Sequence, residues 1–288
     1  MDTGTHANPL WSDGPEGIAD GTVGEPATVE VTDWFIPLSD PAATTQVYAF
    51  PQAGGGCATF AGLADLLAPD LGFRGLNLPG RQARFAEPPR IALGPLIDDL
   101  ATALARHHRP ILLGYCSGAL LAFLVARRLR ARGLAPPAAL VVASYAAPHQ
   151  AEPRTDLHRL PSADFWREIL SYGGVRPEVA GQPDFREIFE VALRADHELF
   201  AGYEYTDEPP LAVPVTVIVG DADHTLPAAV VEGWRDHTTR EFRTVAVPGG
   251  HWLLDRDLRP VAEAVRDTAA RLAAAETTAR GSQSTGAR

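Results

Sequence analysis

The chain has 288 residues, of which 45% are apolar and 21% are charged, and its formal net charge is −11. These values are typical of one large soluble α/β domain with an insertion. The acidic balance argues against nucleic acid as a partner, because phosphate binding needs a basic surface. The sequence contains no Lys, which excludes Schiff-base and Ser-Lys chemistries.

The longest apolar runs are too short to span a bilayer, and the N-terminus lacks the pattern of a signal peptide. We therefore expect a cytoplasmic protein without a membrane partner. The two cysteines, Cys57 and Cys116, cannot form a disulfide framework. No set of ligands has zinc-binding spacing, so no metal site is expected.

Short apolar runs alternate with amphipathic stretches along most of the chain. Residues 1–28 and 277–288 have no period and are predicted to be flexible tails, which leaves a core of 29–149 and 206–276. Predicted strands lie at 46–50, 75–78, 110–114, 138–144, 213–219 and 242–247, and predicted helices lie at 58–67, 93–107, 118–134 and 258–275. This alternation predicts the α/β class, with a mostly parallel central sheet and helices on both faces.

Residues 150–205 interrupt this alternation between two predicted strands. They contain helical patterns at 162–170 and 185–200 but no convincing strand. Ligands of open parallel sheets bind at the carboxyl ends of the strands, so a helical insertion there is expected to be a lid over a pocket. The alternative is a structural excursion without a gating role. The aromatic residues of this insertion are expected to form its core: Phe165, Trp166, Tyr172 and Phe200.

The segment Gly114-Tyr115-Cys116-Ser117-Gly118 joins a predicted buried strand to a helix. Small residues two positions before and after the centre indicate a nucleophile elbow with Cys116 at its centre. Ser117 is the competing nucleophile, but Tyr115 is then too bulky for the flanking position. With Cys116 central, the backbone N–H of Ser117 can stabilise an oxyanion. The helix N-terminus is also expected to lower the pKa of the Cys116 thiol.

A histidine and an acid after later strands complete the predicted catalytic group. His251 follows the last predicted strand in a Gly-rich loop that lets its side chain reach the elbow, whereas His237 is expected on the surface. Asp223 and Asp221 both follow the preceding strand. Asp223 fits a turn toward His251, and Asp221 fits a turn-stabilising role. We therefore predict His251 as the base and Asp223 as the acid that orients it.

The Gly-rich loop after the first predicted strand, Phe50-Pro-Gln-Ala-Gly-Gly-Gly56, can pass close to the elbow. The backbone N–H of Ala53 is the predicted second oxyanion donor. The loop lacks the spacing of phosphate-binding loops. Residues that adjoin the catalytic candidates are expected to line the pocket: Gln52, Tyr115, His224 and Trp252.

Three further residues have both an ordinary and a functional interpretation. Arg81 and Arg84 follow a predicted strand and are expected to be solvated side chains, with contact to phosphates as the alternative. Cys57 is expected to be a packed small residue at the start of a helix. Its alternative is a position near Cys116 that makes the protein sensitive to oxidation.

Five ordered motifs resemble the type II thioesterases, the stand-alone thioesterases of nonribosomal peptide and polyketide synthases. The motifs are Phe50-Pro-Gln-Ala-Gly-Gly55, Leu78-Pro-Gly-Arg81-Gln with Glu87-Pro-Pro89, the elbow, Ala147-Pro-His149 and Gly250-His-Trp252. The resemblance implies an α/β-hydrolase fold, no bound cofactor, and a substrate presented on the phosphopantetheine arm of an acyl or peptidyl carrier protein. It implies the same roles for Cys116, Asp223, His251 and the amides of Ala53 and Ser117.

The chain departs from the family pattern at its centre, because Cys116 stands where Ser is usual and Tyr115 where His is usual. Gln52 stands where His or an aromatic residue is common. A Cys thioester reacts more readily with thiols and amines than a Ser ester does, which favours transfer of an acyl or aminoacyl group to another carrier. The alternatives are hydrolysis of stalled acyl groups and a non-catalytic carrier-docking protein with a degenerate fold.

Overall fold

Seven strands form one sheet in the computed structural model, which describes residues 33–175 and 181–285. The order across the sheet is β1–β3–β2–β4–β5–β6–β7. The pair β1–β3 is antiparallel, and the other five neighbouring pairs in these residues are parallel. The strands are β1 Phe35–Pro37, β2 Gln46–Phe50, β3 Gly72–Leu76, β4 Ile111–Tyr115, β5 Ala139–Ala143, β6 Val215–Gly220 and β7 Phe242–Val247.

Helices connect the parallel strands and cover both faces of the sheet. They are α1 Ala61–Leu67, α2 Leu93–Leu104, α3 Ser117–Ala131, α4 Ser162–Ser171, α5 Pro183–Ala201, α6 Ala228–Glu232 and α7 Arg259–Thr285. The predicted α/β class with a mostly parallel sheet is therefore confirmed. The short strand β1 and the single-turn helix α6 were not predicted, because three to five residues carry too little periodicity.

The alternation of side chains along β4 shows how the two faces acquire separate cores. Leu112 packs with the side chains of α2 and α3, such as Leu96 and Phe123. Leu113 points to the opposite face and packs with α1 and α7, where Val265 belongs to the same cluster. Because successive side chains of a strand alternate between faces, one apolar strand serves both layers.

The insertion between β5 and β6 is helical, as the sequence predicts. Helices α4 and α5 lie within residues 150–205, and their buried apolar residues form a third, smaller cluster that includes Phe165 and Trp166. Phe200 is also buried, but it belongs to the larger cluster that contains Leu112, and it lines a cavity. Tyr172, which we expected in the core of the insertion, is exposed and lines the same cavity. No strand occurs in the part of this insertion that the structure describes.

The C-terminal end differs from the prediction of a flexible segment at 277–288. Helix α7 continues to Thr285, because the Ala-rich sequence that follows its packed portion favours the helix. The hydroxyls of Thr277 and Thr278 donate to the carbonyls of Ala273 and Ala274 one turn earlier. The predicted tail 1–28 lies outside the described residues. Within the described ranges, no helix has the length and apolarity needed to cross a membrane.

Two glycines allow α3 to cross close to the sheet. A Cβ atom at Gly114 would lie 2.3 Å from Cα of Ala119, and a Cβ atom at Gly118 would lie 2.1 Å from the carbonyl oxygen of Phe50. Both neighbours are backbone atoms, so neither clash can be relieved by moving a side chain. The elbow glycines are therefore required by the contact between α3 and strands β2 and β4.

Replacement of Gly118 by Ala should lower the free energy of unfolding by about 3 kcal/mol, because the added methyl group forces α3 away from β2. Urea unfolding followed by circular dichroism measures the change. Gly94→Ala is the matched control, since no atom lies within 4 Å of its added Cβ. That variant should leave stability unchanged or raise it by up to about 1 kcal/mol. Equal stabilities of the two variants would contradict this account.

Candidate active site

The parallel register places five strand ends at one edge of the sheet. Phe50 pairs with Gly114, Tyr115 pairs with Ala143, and Gly220 pairs with Val247. The loops that follow these strands therefore start side by side. They contain the residues that the sequence singled out: Gln52 and Ala53 after β2, Cys116 after β4, Asp221 and Asp223 after β6, and His251 after β7.

Cys116 occupies the sharp turn between β4 and α3 with φ 51° and ψ −127°. A positive φ is unfavourable for a residue with a Cβ atom, by about 1–3 kcal/mol, and persists only where the surrounding structure imposes it. Here its backbone N–H donates to the carbonyl of Ala143 at 2.9 Å, while its carbonyl accepts from Ala119 at 2.8 Å. The turn thereby holds the Cys116 side chain at the cavity.

Asp223 and His251 form a hydrogen-bonded pair beside this turn. The Oδ2 atom of Asp223 lies 2.9 Å from Nδ1 of His251, and the carboxylate is fully buried. The other oxygen, Oδ1, accepts from the backbone N–H and the hydroxyl of Thr225 at 2.9 and 2.6 Å. Since Nδ1 faces the acid, Nε2 is the nitrogen available to a reacting group. No hydrogen bond joins Cys116 to His251 among the described residues, although both line one cavity.

The loops that carry the acid and the histidine are joined by their backbones. Asp221 accepts from the N–H of Gly249 at 3.0 Å through Oδ1, and the N–H of Ala222 donates to the carbonyl of Gly249 at 2.8 Å. Asp221 therefore stabilises the loops, while Asp223 contacts His251. Thr225 was missed in the sequence, although an Asp two residues before a Thr is a known turn pattern that could have indicated it.

Burial decides the protonation of Cys116, against our prediction from the helix N-terminus. Removal of the sulfur from water raises the pKa of the Cys116 thiol to about 11, and the negative charge of Asp223 acts in the same direction. The backbone N–H of Ser117 favours the thiolate but does not outweigh burial. The prediction of a lowered pKa is therefore wrong, and the resting residue is a neutral thiol that needs a base.

The Gly-rich loop after β2 forms a turn in front of the elbow. The N–H of Gly55 donates to the carbonyl of Gln52 at 2.9 Å, and Gly54 has φ 72°. These features are typical of a type II turn, which requires glycine at its third position. Ala53 and Ser117 both line the cavity with Cys116. The N–H of Ala53 has no acceptor among the described residues, so it is free to bind an oxyanion.

A cavity of about 500 Å³ lies between the strand ends and the helical insertion. Apolar side chains from α4, α5 and the loops after β5 and β6 form much of its wall: Leu157, Ile169, Phe189, Leu193, Phe200 and Leu226. Ser144 and His197 also line it. Burial lowers the pKa of His197 to about 4, so this imidazole is neutral at neutral pH. The insertion thus covers a largely apolar cavity that Cys116 lines.

Two of the four predicted pocket residues line the cavity. These two are Gln52 and Trp252. Nε1 of Trp252 donates to the carbonyl of Tyr172 at 2.6 Å, which links the loop after β7, here called the histidine loop because it carries His251, to the insertion. Tyr115 does not line the cavity. It points from β4 into the core and donates to the carbonyl of His251 at 3.4 Å. His224 is exposed and lies outside the cavity lining.

The expectation of solvated arginines is also wrong. Arg81 and Arg84 are each 7% exposed. Arg81 forms a two-pronged ion pair with Asp196 of α5, at 2.6 and 2.7 Å. Arg84 binds Glu87 in the same way, at 2.7 and 2.6 Å. Both guanidinium groups are buried and paired with a carboxylate of the fold, which leaves neither available as a phosphate contact.

The structure also defines the surroundings of His237 and Cys57. His237, predicted on the surface, is buried, and its Nε2 lies 2.7 Å from Nδ1 of His149. Burial lowers the pKa of His237 to about 4. Cys57 begins a short 3₁₀ turn at Cys57–Phe60, and its thiol donates to Oε1 of Gln82 at 2.9 Å. It does not line the cavity that holds Cys116.

The raised pKa of Cys116 predicts how its reactivity depends on pH. The thiolate is the nucleophile, so the rate of alkylation by iodoacetamide should rise about tenfold per pH unit from pH 7 to 10 and level off near pH 11. Peptide mapping separates Cys116 from Cys57, and free glutathione is the control for an unburied thiol. A rate at Cys116 that levels off below pH 8 would show a stabilised thiolate instead.

Comparisons with known proteins identify the family of this chain. A family model described as the thioesterase domain matches residues 45–268. The gramicidin S biosynthesis protein GrsT of Aneurinibacillus migulanus is 29% identical over 232 residues, which cover 78% of this chain and 89% of GrsT.

Solved thioesterase structures share the fold. RedJ, a thioesterase of the prodiginine pathway in Streptomyces coelicolor, is 31% identical with a TM-score of 0.73, over 81% of this chain and 94% of RedJ. The type II thioesterase BorB of the borrelidin biosynthetic cluster is 28% identical with a TM-score of 0.73, over 82% of this chain and 97% of BorB. The predicted α/β-hydrolase fold is thereby confirmed. The chain belongs to the thioesterase family and has type II thioesterases among its relatives.

Proposed function

We propose that this thioesterase-family enzyme moves acyl groups between the thiols of carrier proteins through a thioester on Cys116. The observation that carries the proposal is a cysteine at the elbow, at the floor of an apolar cavity that the Asp223–His251 pair also lines. Because the acyl group is held on a cysteine as a thioester, it is transferred readily to thiols.

In the first step the sulfur of Cys116 attacks the carbonyl carbon of a carrier-bound thioester. His251 takes the thiol proton at Nε2, which is required because the resting thiol is neutral. Asp223 holds the ring through Nδ1 and stabilises the imidazolium. The new oxyanion accepts hydrogen bonds from the amides of Ala53 and Ser117. Collapse of this intermediate expels the phosphopantetheine thiolate, which takes the proton from His251.

The second step reverses the first with a new acceptor. A carrier thiol gives its proton to His251 and attacks the acyl carbon on Cys116, and the Cys116 thiolate leaves and regains the proton. One thioester replaces another in each step, so the exchange is close to thermoneutral and reversible. Thioesters react with thiols far faster than oxyesters do. The rates at which water hydrolyses the two kinds of ester differ much less. These differences favour transfer over release to water.

The cavity supports an uncharged, apolar acyl group as the cargo. Its wall is mostly apolar, and the carboxylate of Asp196 that lines it is paired with Arg81. His197 adds no positive charge at neutral pH. The other charged side chains of the lining, Glu152 and Arg154, are exposed, so a charged group held away from them would lose its water without gaining a partner. The phosphopantetheine arm enters through the side of the cavity that is open to solvent. No bound cofactor takes part in this scheme.

Hydrolysis of carrier-bound acyl groups is the second candidate function. The observation that favours it is membership of the thioesterase family, whose members include the type II thioesterase BorB. Water can enter the same cavity and use His251 as its base. The two functions share the acyl-enzyme and differ only in the acceptor. They are therefore distinguished by where the acyl group goes.

A carrier protein loaded with a hexanoyl group and a second, unloaded carrier of different mass provide the direct test. Incubation with the enzyme should place the hexanoyl group on Cys116 and then on the second carrier, both seen as mass increases by intact mass spectrometry. Free hexanoic acid as the only product would contradict transfer and establish hydrolysis. A load that neither leaves the carrier nor appears on the enzyme would contradict both functions.

Substitution of the nucleophile should separate the two outcomes further. Cys116→Ala should abolish labelling of the enzyme, since no acyl acceptor remains at the elbow. Cys116→Ser should reduce transfer to the second carrier by at least about 10²-fold, because an oxyester exchanges slowly with thiols, a barrier increase of about 2.7 kcal/mol. Cys57→Ser is the matched control and should behave as wild type. Labelling retained in Cys116→Ala would show that the nucleophile is another residue.

A further inference from the structure

The loop in front of the elbow is held by a side chain from the helical insertion. The N–H of Gly54 donates to Oδ2 of Asp196 at 2.7 Å, although the two residues are 142 positions apart. Nη1 of Arg81 donates to the same oxygen at 2.6 Å, and Nη2 donates to Oδ1 at 2.7 Å. Asp196 is 4% exposed and Arg81 is 7% exposed. One buried carboxylate thus joins the loop, the core and α5.

Arg81 holds the other side of the same turn. Its Nη1 also donates to the carbonyl of Gly55 at 2.9 Å. The peptide groups on either side of Gly54 and Gly55 are therefore fixed by Asp196 and Arg81. The turn contains consecutive glycines, which have a wide range of accessible backbone conformations. The bond from the N–H of Gly55 to the carbonyl of Gln52 holds the peptide group that carries the Ala53 N–H, and Asp196 and Arg81 fix the two glycines that close this turn.

Side chains of α5 also pack directly against this loop. A Cβ atom added to Gly54 would lie 2.9 Å from Cδ1 of Leu193 and 2.9 Å from Cζ of Phe189, both on α5. Ala53 packs against the apolar cluster of the insertion. The loop is therefore covered directly by the helix that supplies Asp196.

We infer that Asp196 and Arg81 are positioning residues for the oxyanion loop, residues 52–55, and that this loop has its working shape only while α5 is docked. The inference rests on the proposed function, because the oxyanion forms when Cys116 is acylated. When α5 packs against the loop, it covers the cavity and also fixes the direction of the Ala53 N–H.

The rates of two reactions of Cys116 distinguish an effect on the oxyanion loop from a general disruption of the structure around the sulfur. Acylation of Cys116 by hexanoyl-N-acetylcysteamine passes through an oxyanion and needs the Ala53 amide. Alkylation by iodoacetamide displaces iodide at a saturated carbon, forms no oxyanion and depends only on the thiol and its access. Both rate constants are measured on the full chain by mass spectrometry of the Cys116 peptide.

Asp196→Asn removes the charge and leaves an amide that cannot satisfy Gly54 and both prongs of Arg81. Its acylation rate should fall roughly 10²-fold, the loss typical of one oxyanion donor, while alkylation stays within about twofold of wild type. The double variant Arg81→Met, Asp196→Leu replaces the buried pair by apolar side chains of similar size, which such sites tolerate. It should show the same selective loss, because Leu offers no acceptor to the N–H of Gly54.

Glu190→Gln is the matched control on the same helix. Glu190 binds Arg194, Ser162 and Trp166 within the insertion, with Oε2 2.6 Å from Nε1 of Trp166. It does not touch the oxyanion loop, so both rate constants should remain near wild type.

The inference is overturned if acylation in both Asp196 variants equals wild type, or if acylation and alkylation fall together in both. It is also overturned if neither variant folds, as judged by circular dichroism, since the pair then has a structural role alone. A wild-type enzyme that hexanoyl-N-acetylcysteamine does not acylate would contradict the proposed function instead.

Discussion

The close contact of α3 with the backbone of β2 is the constraint on which the site depends. Gly118 lies against the carbonyl of Phe50, and this contact leaves no space for a side chain. It brings the loop after β2 next to the turn after β4, so Ala53 and Cys116 line one cavity. The aligned ends of β6 and β7 then add the acid and the histidine at the same edge.

Burial keeps the proposed nucleophile, the thiol of Cys116, neutral. The largely apolar cavity that would hold an acyl chain also removes water from the sulfur, which raises the pKa of the Cys116 thiol. In the proposed function this thiol needs a base, and His251 is the proposed one. The carboxylate of Asp223 holds its Nδ1 and also accepts two hydrogen bonds from Thr225. A permanent thiolate at this position would be open to alkylation and oxidation. A neutral thiol restricts reaction to molecules that reach both the sulfur and the imidazole.

The helical insertion contributes more than a cover. Trp252 and Asp196 connect it to the histidine loop and to the oxyanion loop, respectively. These connections join the insertion that covers the cavity to the loop of His251 and to the loop of Ala53. They are polar and directional, unlike the apolar contacts that fill the insertion itself. Such bonds fix one arrangement of the loops, whereas apolar packing tolerates small shifts.

The sequence by itself determined the sheet class, the positions of five of its strands, the presence of a sixth that lies two to three residues earlier than predicted, and the elbow around Cys116. These features follow from local patterns: apolar runs, helical periods and glycines at a fixed spacing. It also indicated Asp223 in preference to Asp221, because a turn after a strand limits where each side chain can point. Only the tertiary structure decided the pKa of Cys116, since burial depends on residues far along the chain. The ion pair of Arg81 with Asp196 was likewise beyond the sequence, because its partners lie 115 positions apart and no local pattern connects them.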